Sequence, residues 1–503
     1  MKSRAGVVWR TALCVAVIVL TIGPQATKAR AQDAGKPEIQ QLKTKLQQAE
    51  QSIQEMKDQI NALETQSALE SEVASLKGAV PKSAVAVPRS MPAAIPASAA
   101  GGSLAKPQPQ EEPENGKTPN EHQIAPAPAG TLDIYGFAML DSGYDFGQID
   151  PDWFDVVRPT KLPAFKDQFG TDGSVYFSVR QTRFGLKTTF PTGIGNLKTI
   201  FEFELFGTGV DAGQTTFRLR HAWGELGQIG AGQTWSPFMD PDVFPNSVEY
   251  WGPTGMVFFR NVQVRWTPYR KGDSDFIIAA ERPGASSDGG VYSGRVELAG
   301  VTPKFDMPDI SMQGRWAGEK GHLQVAGILR KITWVDLNKT PTLNLHGTVW
   351  GWGINTSGNL KFDKQDTVRL QAIYGRGVEN YMNDAPIDVG VENNFSNPAN
   401  PLKGVPLPVL GIVAFDDHNW SDRFSTTVGY SYENITNSKQ QSPSDFHQGH
   451  YALANLMFYP VKNVMLGPEV QYGRRVNFSD GWNYNDYRVQ FSFKYSYSKT
   501  FPY

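Results

Sequence analysis

Arginine side chains recur at alternating positions of several apolar segments, a spacing that could build an anion-binding surface. Around residue 220, Arg218 and Arg220 share one parity and the apolar residues share the other, with His221 as the exception. The apolar residues are Phe217, Leu219 and Trp223. Because strand side chains alternate between two faces, the apolar residues would face outward and both guanidinium groups inward. Guanidinium groups pair with carboxylates through two parallel hydrogen bonds, so the inward face would suit organic anions.

The same alternation places further cations on the inward face. Val262, Val264 and Trp266, for example, alternate with Gln263 and Arg265. The candidate pore-lining, anion-binding residues are Arg180, Arg183, Arg218, Arg220, Arg265, Arg315, Arg369, Arg488 and Lys494. Arg330 follows the same pattern, and the inward acids that oppose the cations are Glu202, Glu204 and Glu469, with Lys198 beside the first two.

Two alternatives remain open for these cations. The wall of any aqueous channel carries charge, so the arginines could merely pair with acids of the loops instead of selecting anions. Arg180 and Arg183 have opposite parity, so either one faces lipid near an interface or a β-bulge admits both.

The segment Ser236–Gly255 mixes acids, aromatic residues and four prolines. Folded inward, it would narrow a pore and set its acids against the arginines; left outside, it would be an ordinary surface loop. The residues alone do not decide between the two. The candidate constriction residues are Asp240, Asp242, Glu249, Tyr250 and Trp251.

The sequence predicts no enzyme, no cofactor and no metal site. The only close histidine pair, His447 and His450, is more typical of a solvated surface, and no nucleotide-binding, zinc-protease or nucleophile-elbow motif is present. The single cysteine, Cys14, lies in an N-terminal secretory signal, so the mature chain would have neither disulfides nor thiol chemistry. Removal of that signal leaves 43 basic against 50 acidic residues, which gives no indication of nucleic-acid binding.

The elements that would hold the arginines are amphipathic strands. From Tyr487 to Tyr503, apolar and aromatic residues occupy one parity and polar residues the other, with Lys499 out of phase. Strands with one lipid-facing and one polar face are typical of transmembrane barrels. No later apolar run approaches the length of a spanning helix, so a membrane location requires a closed barrel.

Residues 131–503 are predicted to form an all-β transmembrane barrel of sixteen antiparallel strands, with an uncertainty of two in the count. Short turns alternate with long connections, as in bacterial barrels whose short turns face the periplasm. The predicted strands are 131–144, 174–190, 196–207, 214–226, 228–236, 257–269, 274–282, 308–317, 321–334, 344–360, 365–375, 410–420, 423–434, 446–459, 462–474 and 485–503. A barrel of this size leaves an aqueous channel.

Three segments precede the barrel. Residues 1–31 read as a signal peptide with a basic start, a short apolar run and an Ala29–Ala31 cleavage site. Residues 32–80 show a heptad seam that includes Ile39 and Leu46 and predicts a periplasmic coiled-coil helix, hence a small oligomer. Residues 81–130 are a Pro/Ala-rich linker with ten prolines.

Several stretches resemble a known family. VRQTRFGLK resembles the arginine-bearing segment of trimeric porins, and FRLRHAWGELGQIGAGQTWSPFMDPD with YWGPTGMVFFRNVQVRWTP resembles the DcaP-like porins of Gram-negative bacteria. The resemblance covers residues 32–503 in layout and about 175–267 in motif. The long 376–409 loop and the terminal Phe-Pro-Tyr do not match the family pattern.

The resemblance implies a homotrimer, an inward third loop at 237–256, and uptake of small anions such as dicarboxylates and aromatic carboxylates. By position, Arg183, Arg218 and Arg220 would belong to the pore wall. The expected function is therefore passive uptake of small anionic solutes across the outer membrane of a Gram-negative bacterium. The expected partners are outer-membrane lipid and the permeant anion, with peptidoglycan as a possible contact of the coiled coil. The alternatives are a general diffusion porin of low selectivity and a structural outer membrane–cell wall tether.

Overall fold

The computed structural model describes residues 130–502, which form a closed antiparallel barrel of sixteen strands, the predicted number. The signal peptide, the coiled coil and the linker lie outside the described residues. The strands are β1 (Thr131–Asp145), β2 (Ser174–Ser178 and Arg183–Thr192), β3 (Gly195–Phe206), β4 (Thr215–Leu226), β5 (Ile229–Trp235), β6 (Arg260–Lys271), β7 (Ser274–Glu281), β8 (Asp309–Gly318), β9 (Gly321–Asp336), β10 (Gly347–Lys361), β11 (Asp366–Arg376), β12 (Pro408–Ser421), β13 (Phe424–Ile435), β14 (Phe446–Asn455 and Met457–Phe458), β15 (Val464–Asn477) and β16 (Asn483–Pro502).

The first and last strands close the barrel. β1 and β16 pair antiparallel from Thr131 opposite Pro502 to Asp145 opposite Arg488. The outer surface is apolar, as the alternation predicts: Val262, Val264 and Trp266 are 45%, 58% and 48% exposed, whereas Gln263 between them is buried. These outward side chains would contact lipid.

The connections at one end are tight turns, and those at the other end are long. The long connections contain a short strand, a hairpin and seven 3-10 helices among the described residues. The short strand is Val301–Pro303, and the hairpin joins Val389–Asn393 to Leu402–Pro406. The helices are Pro151–Trp153, Pro159–Lys161, Gly209–Asp211, Pro241–Val243, Gly290–Tyr292, Val296–Leu298 and Glu379–Tyr381. Among residues 130–502, no helix is both long and apolar enough to span a membrane.

A break in β2 admits both arginines whose parity conflicts in the sequence. Residues 179–182 leave the ladder in a turn closed by a hydrogen bond from Thr182 N to Val179 O (3.0 Å). The turn shifts the alternation, so Arg180 and Arg183 are only 1% and 3% exposed. The second alternative, in which the backbone irregularity brings both inside, is correct.

A bulge in β4 corrects the prediction for Trp223. Glu202 of β3 pairs with His221, but the next residue, Phe203, pairs with Leu219, so Arg220 is the extra residue. A bulge reverses the facing of later residues, which explains the misfit of His221. Trp223 was predicted to face outward, and this was wrong: its ring is buried and lies 5.0 Å from the Arg265 guanidinium.

Candidate functional site

The connection between β5 and β6, residues 236–259, folds into the barrel and is called the inserted loop here. Tyr250 and Trp251 are 1% and 0% exposed. Its backbone carbonyls accept hydrogen bonds from opposite sides of the inner wall: Asn355 of β10 donates to Phe238 O (2.9 Å) and Gln490 of β16 to Val248 O (3.0 Å). The loop is therefore not an ordinary surface loop.

One end of the inserted loop is fixed through Asp240. This carboxylate is fully buried and receives hydrogen bonds from His322 Nε2 (2.6 Å), Ser357 Oγ (2.8 Å) and Arg315 Nη1 (3.3 Å). Arg315 also bonds Asp242. Asp240, Asp242 and His322 have the spacing of a metal site, but Arg315 already binds both carboxylates, so we assign no metal to them.

The other end of the inserted loop rests on a carboxylate of the wall. Glu469 of β15 accepts hydrogen bonds from Ser247 Oγ (2.9 Å) and Val248 N (3.1 Å). Glu249 points the opposite way and accepts from Val157 N (3.1 Å) of the β1–β2 connection and from Gly252 N. The loop is thus held at both ends by charged or polar side chains.

Glu249 has no cation within ion-pair distance among the described residues. Burial raises its pKa to about 8, and the backbone N–H groups of Gly252, Trp251 and Val157 only partly offset this. Other titratable groups near it are Tyr451 of β14, whose hydroxyl is 3.5 Å from Glu249 Oε2, and Arg488 of β16. At neutral pH this raised pKa favours the protonated form of Glu249 in the docked loop.

Docking of the inserted loop is expected to weaken as the pH rises from the ordinary pKa of Glu249, 4.5, to about 8. The docked state binds a proton that a released, solvated Glu249 would lose, so each pH unit in this window costs up to about 1.4 kcal/mol. Protease cleavage within the loop should rise across the window, and Glu249→Gln should abolish the rise. Glu297→Gln is the control, because Glu297 is exposed and its pKa is lowered to about 2 by Arg295. An unchanged pH profile of cleavage in Glu249→Gln would show that Glu249 is not the group that controls docking of the loop.

Four arginines surround two glutamates on the inner face of β2, β3, β4 and β6. This arginine cluster consists of Arg183, Arg218, Arg220 and Arg260 around Glu202 and Glu204. Arg220 forms the short bonds, 2.6 Å to each glutamate. The other arginines lie further away: Arg183 is 3.7 and 3.6 Å from the two glutamates, and Arg260 is 3.4 Å from Glu204.

Several donors of the arginine cluster lack a hydrogen-bond partner within the described part of the chain. They are Arg183 Nε and Nη2, Arg260 Nη1 and the hydroxyl of Tyr250 from the inserted loop. Tyr250 lies within electrostatic range of both arginines and stacks on Phe206 at a centroid distance of 3.8 Å. Arg183 Nε and Nη2 face Glu202 and Glu204 at 3.7 and 3.6 Å, just beyond hydrogen-bond distance, so the described residues leave these buried donors unsatisfied.

The other predicted cations are inward but engaged by the protein. Arg180 bonds Asp155 (2.6 Å), a residue of the β1–β2 connection, and Arg488 bonds Asp145 (2.6 Å). Arg369 pairs with Asp417 (2.5 Å), while Lys494 lies 4.2 Å from the ring of Phe137. Arg180 and Arg315 therefore pair with acids of the loops, as the second interpretation of the arginines predicted.

Sequence reasoning missed Arg260. It shares parity with the outward Val262, yet it is only 6% exposed and belongs to the arginine cluster. Arg260 is the first residue of β6 and pairs with Trp235, the last residue of β5, directly beside the inserted loop. The alternation of residues in β6 therefore gave no sign that Arg260 faces inward. Its position next to the inserted loop in the sequence was the signal that could have found it.

Arg158 joins three long connections and was also missed. Its guanidinium lies 4.1 Å from the ring of Trp153 and 3.9 Å from that of Trp251 in the inserted loop. Its Nε donates to Asp384 (2.8 Å) of the β11–β12 connection. A single side chain therefore links the β1–β2 connection, the inserted loop and the β11–β12 connection.

The sequence and the fold of this chain are similar to those of known outer membrane proteins. The sequence profile of the DcaP outer membrane protein family matches residues 109–496. The outer membrane channel DcaP of Acinetobacter baumannii is 20% identical, with a TM-score of 0.61, covering 73% of this chain and 98% of that one. No curated protein sequence matches the chain.

Two further solved structures are more distant. The trimer form of OmpT from Vibrio cholerae is 11% identical with a TM-score of 0.44, and the anion-selective porin from Comamonas acidovorans is 10% identical with a TM-score of 0.45. Each covers 73% of this chain and all of its own. The DcaP channel similarity shows a shared fold, and TM-scores below 0.5 add nothing to it.

Proposed function

The chain belongs to the DcaP outer membrane protein family, and we propose that it forms a passive channel for small anionic solutes, with (di)carboxylates as the preferred class. The inserted loop and the inner wall would together form the constriction. The proposed assembly is a homotrimer in outer-membrane lipid, with the coiled coil in the periplasm, where it would contact peptidoglycan. No catalytic role is proposed.

The observation that supports this proposal is the set of unpartnered donors in the arginine cluster. The four arginines of the cluster face only two carboxylates, Glu202 and Glu204, so the positive charges outnumber the negative ones. The free N–H groups of Arg183 and Arg260 and the Tyr250 hydroxyl would donate to the oxygens of a carboxylate. A permeating carboxylate would offset part of the excess positive charge of the cluster.

The double variant Arg183→Gln, Arg260→Gln is expected to lower the anion-to-cation permeability ratio by roughly tenfold. Two unit charges about 5 Å from a permeating ion, in surroundings close to water in dielectric constant, contribute on the order of 1–2 kcal/mol together. The measurement is the reversal potential of the purified protein in a planar bilayer under a salt gradient. The matched control is Arg295→Gln, since Arg295 is exposed and pairs with Glu297 in the β7–β8 connection.

Two other outcomes of the bilayer measurement would each support a different function. A native permeability ratio near one would replace the proposal with a general diffusion porin. A silent bilayer from well-folded protein would favour the structural tether, for which the deep burial of the inserted loop is the observation in favour.

A further inference from the structure

A cavity of about 240 Å³ lies among the long connections and shares no lining residue with the arginine cluster. Its volume is below the roughly 300–1,000 Å³ of pockets for drug-sized ligands, so it suits a smaller solute. Charged and apolar residues both line it. They are Thr160, Asp288, Pro386, Ile387, Leu407, Ile435, Gln441, Asp445, Phe446 and Arg475.

The cationic side of the cavity is Arg475, near the end of β15. It is 7% exposed and donates to Asn477 Oδ1 (2.8 Å), Thr160 O (2.9 Å) and Ser444 O (3.0 Å). None of these acceptors is charged, and Arg475 has no ion pair within 4 Å in the described part of the chain. Because a guanidinium stays protonated, this side of the cavity carries a positive charge that interacts with Asp384, Asp445 and Asp480 only at longer range.

The anionic side is formed by Asp288 and Asp445. Asp288 accepts from Gly290 N (2.7 Å) and Gln441 Nε2 (3.2 Å), and Asp445 accepts from Ser442 N (2.7 Å). Neither carboxylate has a cation within ion-pair distance among the described residues. Burial and then the neighbouring Asp288 raise the pKa of Asp445 to about 7, which indicates that the two groups lie close together.

The remaining surface is apolar. Leu407 and Ile435 are each 1% exposed and Phe446 is 4% exposed, while Ile387 is half-buried and packs against the same core. The cavity therefore presents a cation, a pair of acids and an aliphatic and aromatic surface to one small volume. A simple anion would satisfy the first of these features only.

We propose that this cavity binds a small zwitterion with an apolar body, the chemistry that an apolar α-amino acid presents. The carboxylate of the solute faces Arg475, its ammonium faces Asp288 and Asp445, and its side chain packs on Leu407 and Phe446. The site goes beyond the anion channel proposed above and does not depend on it. It binds solute among the loops, before any passage through the constriction.

The test is isothermal titration of the purified full-length protein with L-leucine. The same titration with 4-methylpentanoate, which lacks the ammonium, and with 3-methylbutylamine, which lacks the carboxylate, separates the contributions of the two charges. Leucine is expected to bind saturably and each analogue roughly tenfold more weakly, since one charge-assisted contact contributes about 1.4 kcal/mol or more. Equal binding of leucine and 4-methylpentanoate, or no saturable binding of leucine, would overturn the proposal.

Two variants make the assignment specific to the cavity. Asp445→Asn is expected to weaken leucine binding about tenfold and leave 4-methylpentanoate unchanged. Ile387→Trp is expected to fill the cavity and abolish binding of both. The control is Glu392→Gln, because Glu392 pairs with Lys403 in the hairpin and does not line the cavity. Unchanged leucine binding in both Asp445→Asn and Ile387→Trp, with the barrel folded, would also overturn the proposed zwitterion site.

The reversal potential of the same variants separates the two proposals. It should stay at the native value in Asp445→Asn and Ile387→Trp. A protein that binds leucine but passes anions and cations equally would retain the zwitterion site and lose the anion channel. A protein that selects anions but does not bind leucine would retain the anion channel and lose the zwitterion site.

Discussion

Asp240→Asn is expected to release one end of the inserted loop and to raise single-channel conductance severalfold. The Asp240 carboxylate is fully buried and holds Arg315, His322 and Ser357 at once. Asparagine has nearly the same shape but removes the charge and replaces one acceptor with a donor. Breaking a buried charge pair by removing one partner typically costs about 3–5 kcal/mol, which is enough to displace the segment around Asp240 from the wall.

Asp242→Asn is the matched control for this prediction. It lies two residues away in the same loop and shares Arg315, but its side chain is 36% exposed. An exposed ion pair contributes only about 0–1 kcal/mol, so its conductance should stay near the native value. Similar conductance in the two variants would show that Asp240 does not control the position of the loop.

Arg158→Lys is expected to loosen three connections together while preserving the charge at that position. The lysine ammonium lacks the planar face that lies over Trp153 and Trp251 and reaches Asp384 with different geometry. Each cation–π contact contributes about 2 kcal/mol when buried. Asp384, whose side chain is fully buried, keeps its hydrogen bonds from Thr160 but loses the directed guanidinium bond, which adds a further penalty.

The expected readout is a red shift of tryptophan fluorescence with faster proteolysis of the β1–β2 and β11–β12 connections. Lys161→Gln is the control, because Lys161 is three residues away and its ion pair with Asp150 is long, at 3.8 Å, and partly exposed. Proteolysis confined to the β1–β2 connection would contradict a link across all three connections. Native fluorescence and native proteolysis of Arg158→Lys would show that a positive charge at this position is enough to hold the three connections together.

The strands were predictable because lipid imposes a strict pattern on them. Outward positions at the depth of the hydrocarbon core are predominantly apolar, and the backbone must pair within the barrel. The predicted end of β1, residue 144, lies one residue from the observed Asp145, and the predicted start of β9, Gly321, is the observed one. Both the number of strands and the direction of Arg265 and Arg488 followed from this pattern.

The interior was less predictable because lipid imposes nothing on it. One bulged residue at Arg220 was enough to reverse the facing of Trp223, and the out-of-phase His221 was the sign of this bulge in the sequence. The insertion of the 236–259 loop depends on contacts such as that between Asp240 and Ser357, which are 117 residues apart. Alternation identified the arginines, but which of them are already paired is a property of the tertiary structure.

The seam between β1 and β16 has a consequence for biogenesis. The two strands that close the barrel are the first and last of the described chain, with partners such as Thr131 and Pro502. Until the C-terminal strand is available, β1 and the most recently formed strand are open edges with unpaired N–H and C=O groups, which invite pairing with other chains. Such long-range closure is also slow. The nascent polypeptide therefore needs a chaperoned route through the periplasm, and truncation of β16 should convert an inserted protein into an aggregating one.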